Sequence, residues 1–138
     1  MKLTIWGAAR QVTGSMHLLE INNYKILVDC GLDYERETRV EENEFFPFNP
    51  GDIDVVILTH AHIDHSGNLP TLIRSGFEGQ VICTSPTAEL AELLLLDSVA
   101  IFESKQKKRR RSKKQSSGPK PLFFQKHVME TAERFVTL

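Results

Sequence analysis

Asp54-Val-Val-Ile-Leu-Thr-His-Ala-His-Ile-Asp-His65 runs from a nearly all-apolar segment straight into three histidines and an aspartate. The apolar half reads as a β-strand with both faces covered. The chain has only five histidines, and three of them lie in His60-Ala-His-Ile-Asp-His65. Imidazole nitrogens and carboxylate oxygens are the ligands that borderline cations such as zinc take up, with bonds of roughly 2.0 to 2.2 Å. In a loop leaving a strand, residues two apart point the same way. His60 and His62 can therefore converge on one ion while Asp64 and His65 face a second. Two metals about 3.5 to 4 Å apart can bridge a hydroxide and clamp the attacking and leaving oxygens, which is machinery for hydrolysis. The bland alternative, a structural zinc site, ordinarily recruits thiolates, and the motif contains none. Zinc suits these ligands best; manganese and iron are compatible with them.

Working outward, Leu3 to Trp6, Met16 to Ile21 and Lys25 to Asp29 read as short strands, the last two joined by the tight-turn pair Asn22-Asn23. Beyond the motif, Leu69, Leu72 and Ile73 at i, i+3 and i+4, with Pro70 in the first turn and Gly76 as terminator, predict a helix. Gln80 to Thr84 reads as the next strand. Ser85-Pro86 then opens a long helix, with Leu90, Leu93, Leu94 and Ile101 as its inner face. Val128, Ala132, Phe135 and Val136 predict an amphipathic helix over 122–138. Strands followed by strand, helix, strand and helix argue for a layered α/β domain.

With 138 residues, 41% hydrophobic, and 17 basic against 18 acidic residues, the composition is that of a soluble globular domain. Apolar runs such as Val55 to Leu58 and Leu93 to Leu96 are four residues long, which excludes a membrane-spanning helix. No leader pattern follows Met1-Lys2, so an intracellular, cytoplasmic location is expected. Cys30 and Cys83 lack metal-site or disulfide spacing and read as buried small apolar side chains. Charge is uneven: eight of the ten residues from Lys105 to Lys114 are basic. This stretch reads as a flexible basic loop over 105–121, dividing a body at 1–104 from the helix at 122–138. Lys107, Lys108, Arg109, Arg110 and Arg111 are candidate nucleic-acid contacts, because neutralising phosphates releases counterions. A nuclear-localisation patch is also compatible with the run, and the bland alternative is a solvated loop with no dedicated partner. No aromatic residue is interleaved with these charges, so base stacking is not expected, and Phe123-Phe124 reads as re-entry into the core.

His60-Ala-His-Ile-Asp-His-Ser-Gly67 after an apolar strand resembles the second motif of the metallo-β-lactamase superfamily. The flanks are more specific. Gly7-Ala-Ala-Arg-Gln-Val-Thr-Gly-Ser15, His17-Leu-Leu-Glu20, Leu27-Val-Asp-Cys-Gly-Leu32, Ser66-Gly-Asn-Leu-Pro70, Gly76-Phe77 and Ala91-Glu-Leu-Leu-Leu-Leu-Asp-Ser98 are similar to the β-CASP branch of RNA-processing nucleases. That branch includes RNase J-type enzymes and the endonuclease of pre-mRNA cleavage and polyadenylation. The resemblance covers about residues 1–104 and, more weakly, 121–135. It implies the N-terminal part of an αβ/βα four-layer sandwich and a ribonuclease using a hydroxide between two zinc ions. His60 and His62 would hold the first zinc and Asp64 and His65 the second, the latter two serving as the catalytic pair. Asp29 would stand behind them, hydrogen-bonded to the metal loop. RNA is the implied substrate, with partner subunits or a homodimer compatible and no membrane involved. The family's later motifs supply a further histidine, a bridging aspartate and a histidine near the leaving group; none is identifiable after His65, so a longer enzyme is implied. Within the same fold, a thioester or lactone hydrolase is the alternative, and a non-catalytic RNA-binding scaffold is the alternative from another class.

Overall fold

The first three strands form where short β-rich runs meet tight turns, and each later strand forms where an apolar run returns after a helix. The computed structural model describes residues 1–34, 41–112 and 120–138. β1 (Lys2–Ile5), β2 (His17–Ile21) and β3 (Tyr24–Val28) pair antiparallel as a meander, with Asn22 taking φ 55 in the turn. β4 (Val55–Ile57), β5 (Gln80–Cys83) and β6 (Phe135–Thr137) then add in parallel, giving one six-stranded sheet in the order β1-β2-β3-β4-β5-β6. α1 (Ile63–Ser66) and α2 (Leu69–Arg74) cross from β4 to β5, and α3 (Ser85–Arg111) and α4 (Gln125–Glu133) cross from β5 to β6.

The two sheet faces differ. The cross-strand row Leu18, Leu27, Val56 and Val81 is buried in the same cluster as Leu69, Leu72, Phe77 and Ala91 of the helical layer. The opposite row, Ile5, His17, Val28, Ile57, Ile82 and Val136, is also apolar apart from His17. On it Ile5 is 56% exposed and Ile57 40%. The expectation that both faces of β4 are covered therefore holds for one face only among the described residues. An apolar sheet face of this extent is an association surface. The isolated chain is expected to self-associate through it, and Ile5→Lys with Ile57→Lys is expected to shift sedimentation toward monomer. A wild-type chain that sediments as a monomer and melts cooperatively would contradict this.

Three expectations are corrected. The buried stripe of α3 is Ala91, Leu95 and Val99; of the expected inner face Leu94 packs half-buried against the core, whereas Leu93 is 63% exposed and Leu90 and Ile101 are exposed. Four successive leucines point all round a helix, so periodicity leaves its phase open, whereas the small Ala91 permits close approach to the sheet. Second, Lys105–Arg111 is not a loop: α3 continues to Arg111. Lysine and arginine are good helix formers, their charges stay solvated, and cations favour a helix C-terminus. Residues 113–119 of the expected loop lie outside the described residues.

Third, the last helix stops at Glu133, where the Arg134 N–H bonds back to Thr131 O at 3.0 Å. Phe135-Val136-Thr137 is instead a strand, because an aromatic and β-branched run suits the open edge of β5. The segment 122–138 thereby completes the sheet that 1–104 begins. Cys30 and Cys83 are buried and free, as expected, and burial pushes both thiols up from their ordinary value.

His127 is buried in α4, and its Nδ1 accepts the Phe124 N–H at 3.0 Å. Burial, then the neighbouring Lys126 and more distant Arg74, outweigh Glu130 and hold its pKa below the ordinary imidazole value of 6.5. The unfolded chain therefore takes up this proton first as pH falls. Stability from His127 is complete above about pH 6.5 and is lost progressively below it, through the lower folded pKa. His127→Asn is expected to flatten that portion of the acid-unfolding curve in thermal melts between pH 7.5 and 5. An unchanged slope would contradict the assignment.

Candidate metal centre

The site gathers at the carboxyl ends of the adjacent parallel strands β3 and β4, where the chain leaves the sheet. Asp29, immediately after β3, keeps the ladder through its N–H to Ile57 O at 2.9 Å and then takes φ 60, a left-handed turn that aspartate tolerates. Its carboxylate is 3% exposed as a residue and has four contacts at hydrogen-bond distance. Oδ1 accepts the Thr59 N–H at 2.8 Å and lies 3.0 Å from the Thr59 hydroxyl; Oδ2 lies 2.9 Å from that hydroxyl and 2.8 Å from His65 Nδ1.

These contacts determine where the imidazole protons sit. A carboxylate only accepts, so the His65 ring carries a proton on Nδ1, and in the neutral tautomer this selects, Nε2 is the lone pair. The Thr59 hydroxyl likewise gives its one proton to Asp29 and can only accept from His60 Nδ1, 3.1 Å away. His60 thus also presents a bare Nε2. Asp29 and Thr59 together prepare two imidazoles for a cation, an arrangement that orients metal-binding histidines generally. Thr59 carries no mark in the sequence beyond standing directly before the motif, and sequence reasoning passes over it.

The rings cluster closely. His60 lies 4.0 Å from His65 and 4.8 Å from His62, centroid to centroid. His62 caps α1, with its carbonyl accepting the His65 and Ser66 N–H groups and its side chain exposed. His65 Nε2 stands 3.5 Å from Asp64 Oδ2. Two donors each about 2.1 Å from one ion at a tetrahedral angle lie about 3.4 Å apart, so this pair fits a shared divalent cation. Among the described residues no three His, Cys, Asp or Glu side chains close on a single point.

The main chain of α1 is clamped as firmly as the side chains. Leu32 N–H donates to Ile63 O at 3.0 Å, Ser15 N–H to Asp64 O at 2.9 Å and Cys30 N–H to His65 O at 2.8 Å. Gly31 passes so close that a Cβ there would fall on the Asp64 carbonyl. The loop Gly7 to Ser15 thus touches the metal loop through Ser15. It also borders a cavity of about 340 Å³ with Trp6, Gly31 and Asn43. His17 is half-buried, and its Nδ1 has no hydrogen-bond partner among the described residues.

Asp29→Asn cannot accept at both oxygens and must turn an amide toward Thr59 or His65. Metal affinity is expected to fall about 10- to 100-fold, measured by competition with a chromophoric chelator. Unchanged affinity would remove Asp29 from the account. Lys107, Lys108, Arg109, Arg110 and Arg111 are not part of this cluster; they occupy the exposed last turns of α3.

The chain matches the metallo-beta-lactamase superfamily over residues 9–132. It is 41% identical over 103 residues to Ribonuclease TTHA0252 of Thermus thermophilus, covering 75% of this chain and 24% of that protein. It is 38% identical over 112 residues to Transcription termination factor FttA of Methanosarcina mazei, covering 78% of this chain and 17% of that protein. Among solved structures, a metallo-beta-lactamase with a HARLDQ motif from Cronobacter sakazakii aligns with 29% identity and a TM-score of 0.43, covering 57% of this chain and 28% of that one. The chain spans about a quarter or less of the length of these curated relatives.

Proposed function

The chain belongs to the metallo-beta-lactamase superfamily, and from that premise we propose that it carries metal-binding residues of a ribonuclease, a phosphodiesterase of β-CASP type. The observation that carries this reading is the Asp29–Thr59 pair, which leaves the Nε2 atoms of both His60 and His65 bare, with Asp64 beside the second. The names of the relatives, a ribonuclease and a transcription termination factor, point to RNA as the substrate.

His60 and His62 would hold one divalent ion, and Asp64 and His65 a second, with zinc favoured by this mixture of nitrogen and oxygen ligands. Bound there, the ions supply Lewis acidity toward phosphoryl oxygens and lower the pKa of water. The protein's own residues do the positioning. Asp29 fixes the His65 ring, Thr59 relays the same carboxylate to His60, and the three main-chain bonds to α1 keep the ligands from shifting when charge develops.

The test offers the complete protein an end-labelled RNA, a thioester and a lactone in parallel. Cleavage of RNA alone, abolished by chelator, is expected. Hydrolysis of the thioester or lactone with RNA left intact would replace the ribonuclease reading by another hydrolase of the fold. Salt-sensitive RNA binding without any cleavage would replace it by a scaffold.

A further inference from the structure

The basic turns of α3 border a groove of about 500 Å³ that the metal centre does not use. Val99, Phe102 and Arg110 line it from one helix face, with Glu103 and Lys107 one position round. The opposite wall is Pro121, Phe123 and Phe124. Sequence reasoning separates these phenylalanines from the charges, yet the fold brings them together. Phe124 is 51% exposed and its ring rests 5.9 Å from the buried His127 ring, while Arg74 holds the preceding Leu122 carbonyl and Glu44. The wall is therefore anchored, and an exposed aromatic residue lines the same groove as Lys107 and Arg110.

An exposed aromatic platform flanked by lysine and arginine suits single-stranded nucleic acid, which offers a π-face and an anionic phosphate in every repeat. The location agrees. Ile63, between His62 and Asp64, packs in one small cluster with Leu95, Val99, Val128 and Phe123. Val99 and Phe123 of the groove and Ile63 of the metal loop thus belong to one hydrophobic cluster.

We propose that this groove is a subsite for single-stranded RNA, in which a base stacks on Phe124 and Phe102 while Lys107 and Arg110 hold the adjoining phosphates. The inference rests on the ribonuclease reading and adds to it where the strand lies beside the centre. Glu103 on the rim is an acceptor for a base's N–H groups and an obstacle to a purely anionic ligand.

The test is fluorescence anisotropy of a labelled 12-nucleotide RNA with the complete protein in EDTA, so that binding is read without cleavage. Phe124→Ala is expected to weaken binding about 10-fold with an unchanged salt dependence. Lys107→Ala with Arg110→Ala is expected to lower the slope of log affinity against log salt by about 1.4. Equal affinity of Phe124→Ala and wild type, with inorganic polyphosphate displacing RNA at equal phosphate concentration, would overturn the stacking subsite and leave the cleavage reading intact. Tighter binding of an acidic peptide than of RNA, lost in Phe124→Ala, would overturn it in favour of a protein partner. Loss of cleavage specificity for RNA in the substrate comparison, with the Phe124 effect preserved, would remove the ribonuclease reading and not the groove.

Discussion

His65→Ala in the complete protein is expected to lower RNA cleavage by about 10³-fold or more and to cost about 2 kcal/mol or more of stability. Both effects come from one ring. Its Nε2 stands 3.5 Å from Asp64 Oδ2 as a proposed metal ligand, and its Nδ1–H is the partner of Asp29 Oδ2 at 2.8 Å. Truncation removes a proposed metal ligand and leaves the buried Asp29 carboxylate with Thr59 as its remaining partner among the described residues. An unpaired buried charge costs more than the pair itself contributes, so destabilisation should appear even with metal chelated. The double variant Asp29→Asn, His65→Ala separates the two roles. It should recover stability relative to His65→Ala, since the orphaned charge is gone, while cleavage stays lost. Urea melts in EDTA check the first statement and single-turnover RNA cleavage the second. Full stability of His65→Ala in EDTA would show that Asp29 does not depend on this ring.

Gly31→Ala is expected to destabilise the protein by more than about 3 kcal/mol, or to prevent folding, although it adds only a methyl group. The reason is the direction of approach. An alanine Cβ would occupy the position of the Asp64 carbonyl and crowd Ser15 N, two groups bonded to one another at 2.9 Å. Both are backbone atoms, and neither can swing away as a side chain would. Relief requires separating the segment 30–32 from α1, which also breaks the Cys30 and Leu32 bonds to His65 and Ile63. A folded fraction should therefore lose metal affinity as well. A thermal midpoint within a few degrees of wild type would contradict the tight packing of these segments. Gly76→Ala offers a comparison, since its Cβ would meet open space and only its φ of 111 is strained.

Much of this architecture is legible in the residues. The alternation of short strands, the Asn22-Asn23 turn and the apolar run before His60 place five of the six strands. His60 to His65 stand out by chemical type, because few reasons other than a cation gather imidazoles and a carboxylate so densely, whereas Asp29 is picked out only by the family resemblance. What is not legible depends on three-dimensional neighbours. β6 carries a spacing that fits a helix, and only the open edge of β5 makes it a strand. Four consecutive leucines in α3 hide which face is buried. The basic stretch reads as a loop because like charges repel, yet each side chain on the last turns of α3 can reach water separately. Phe123 and Phe124 lie more than ten residues beyond the last basic residue of α3, so nothing local joins them to Lys107 and Arg110. Thr59 is a single hydroxyl whose role exists only because Asp29 turns toward it.

The central claim is that His60, His62, Asp64 and His65 hold divalent metal. Elemental mass spectrometry of the complete protein after exhaustive dialysis, beside His62→Ala with His65→Ala, tests it most directly. The account predicts close to two ions per chain in the wild type and a retained fraction near zero in the double variant, with both proteins folded by circular dichroism. Equal metal content in the two folded proteins would contradict it, because the ions would then be held by other residues.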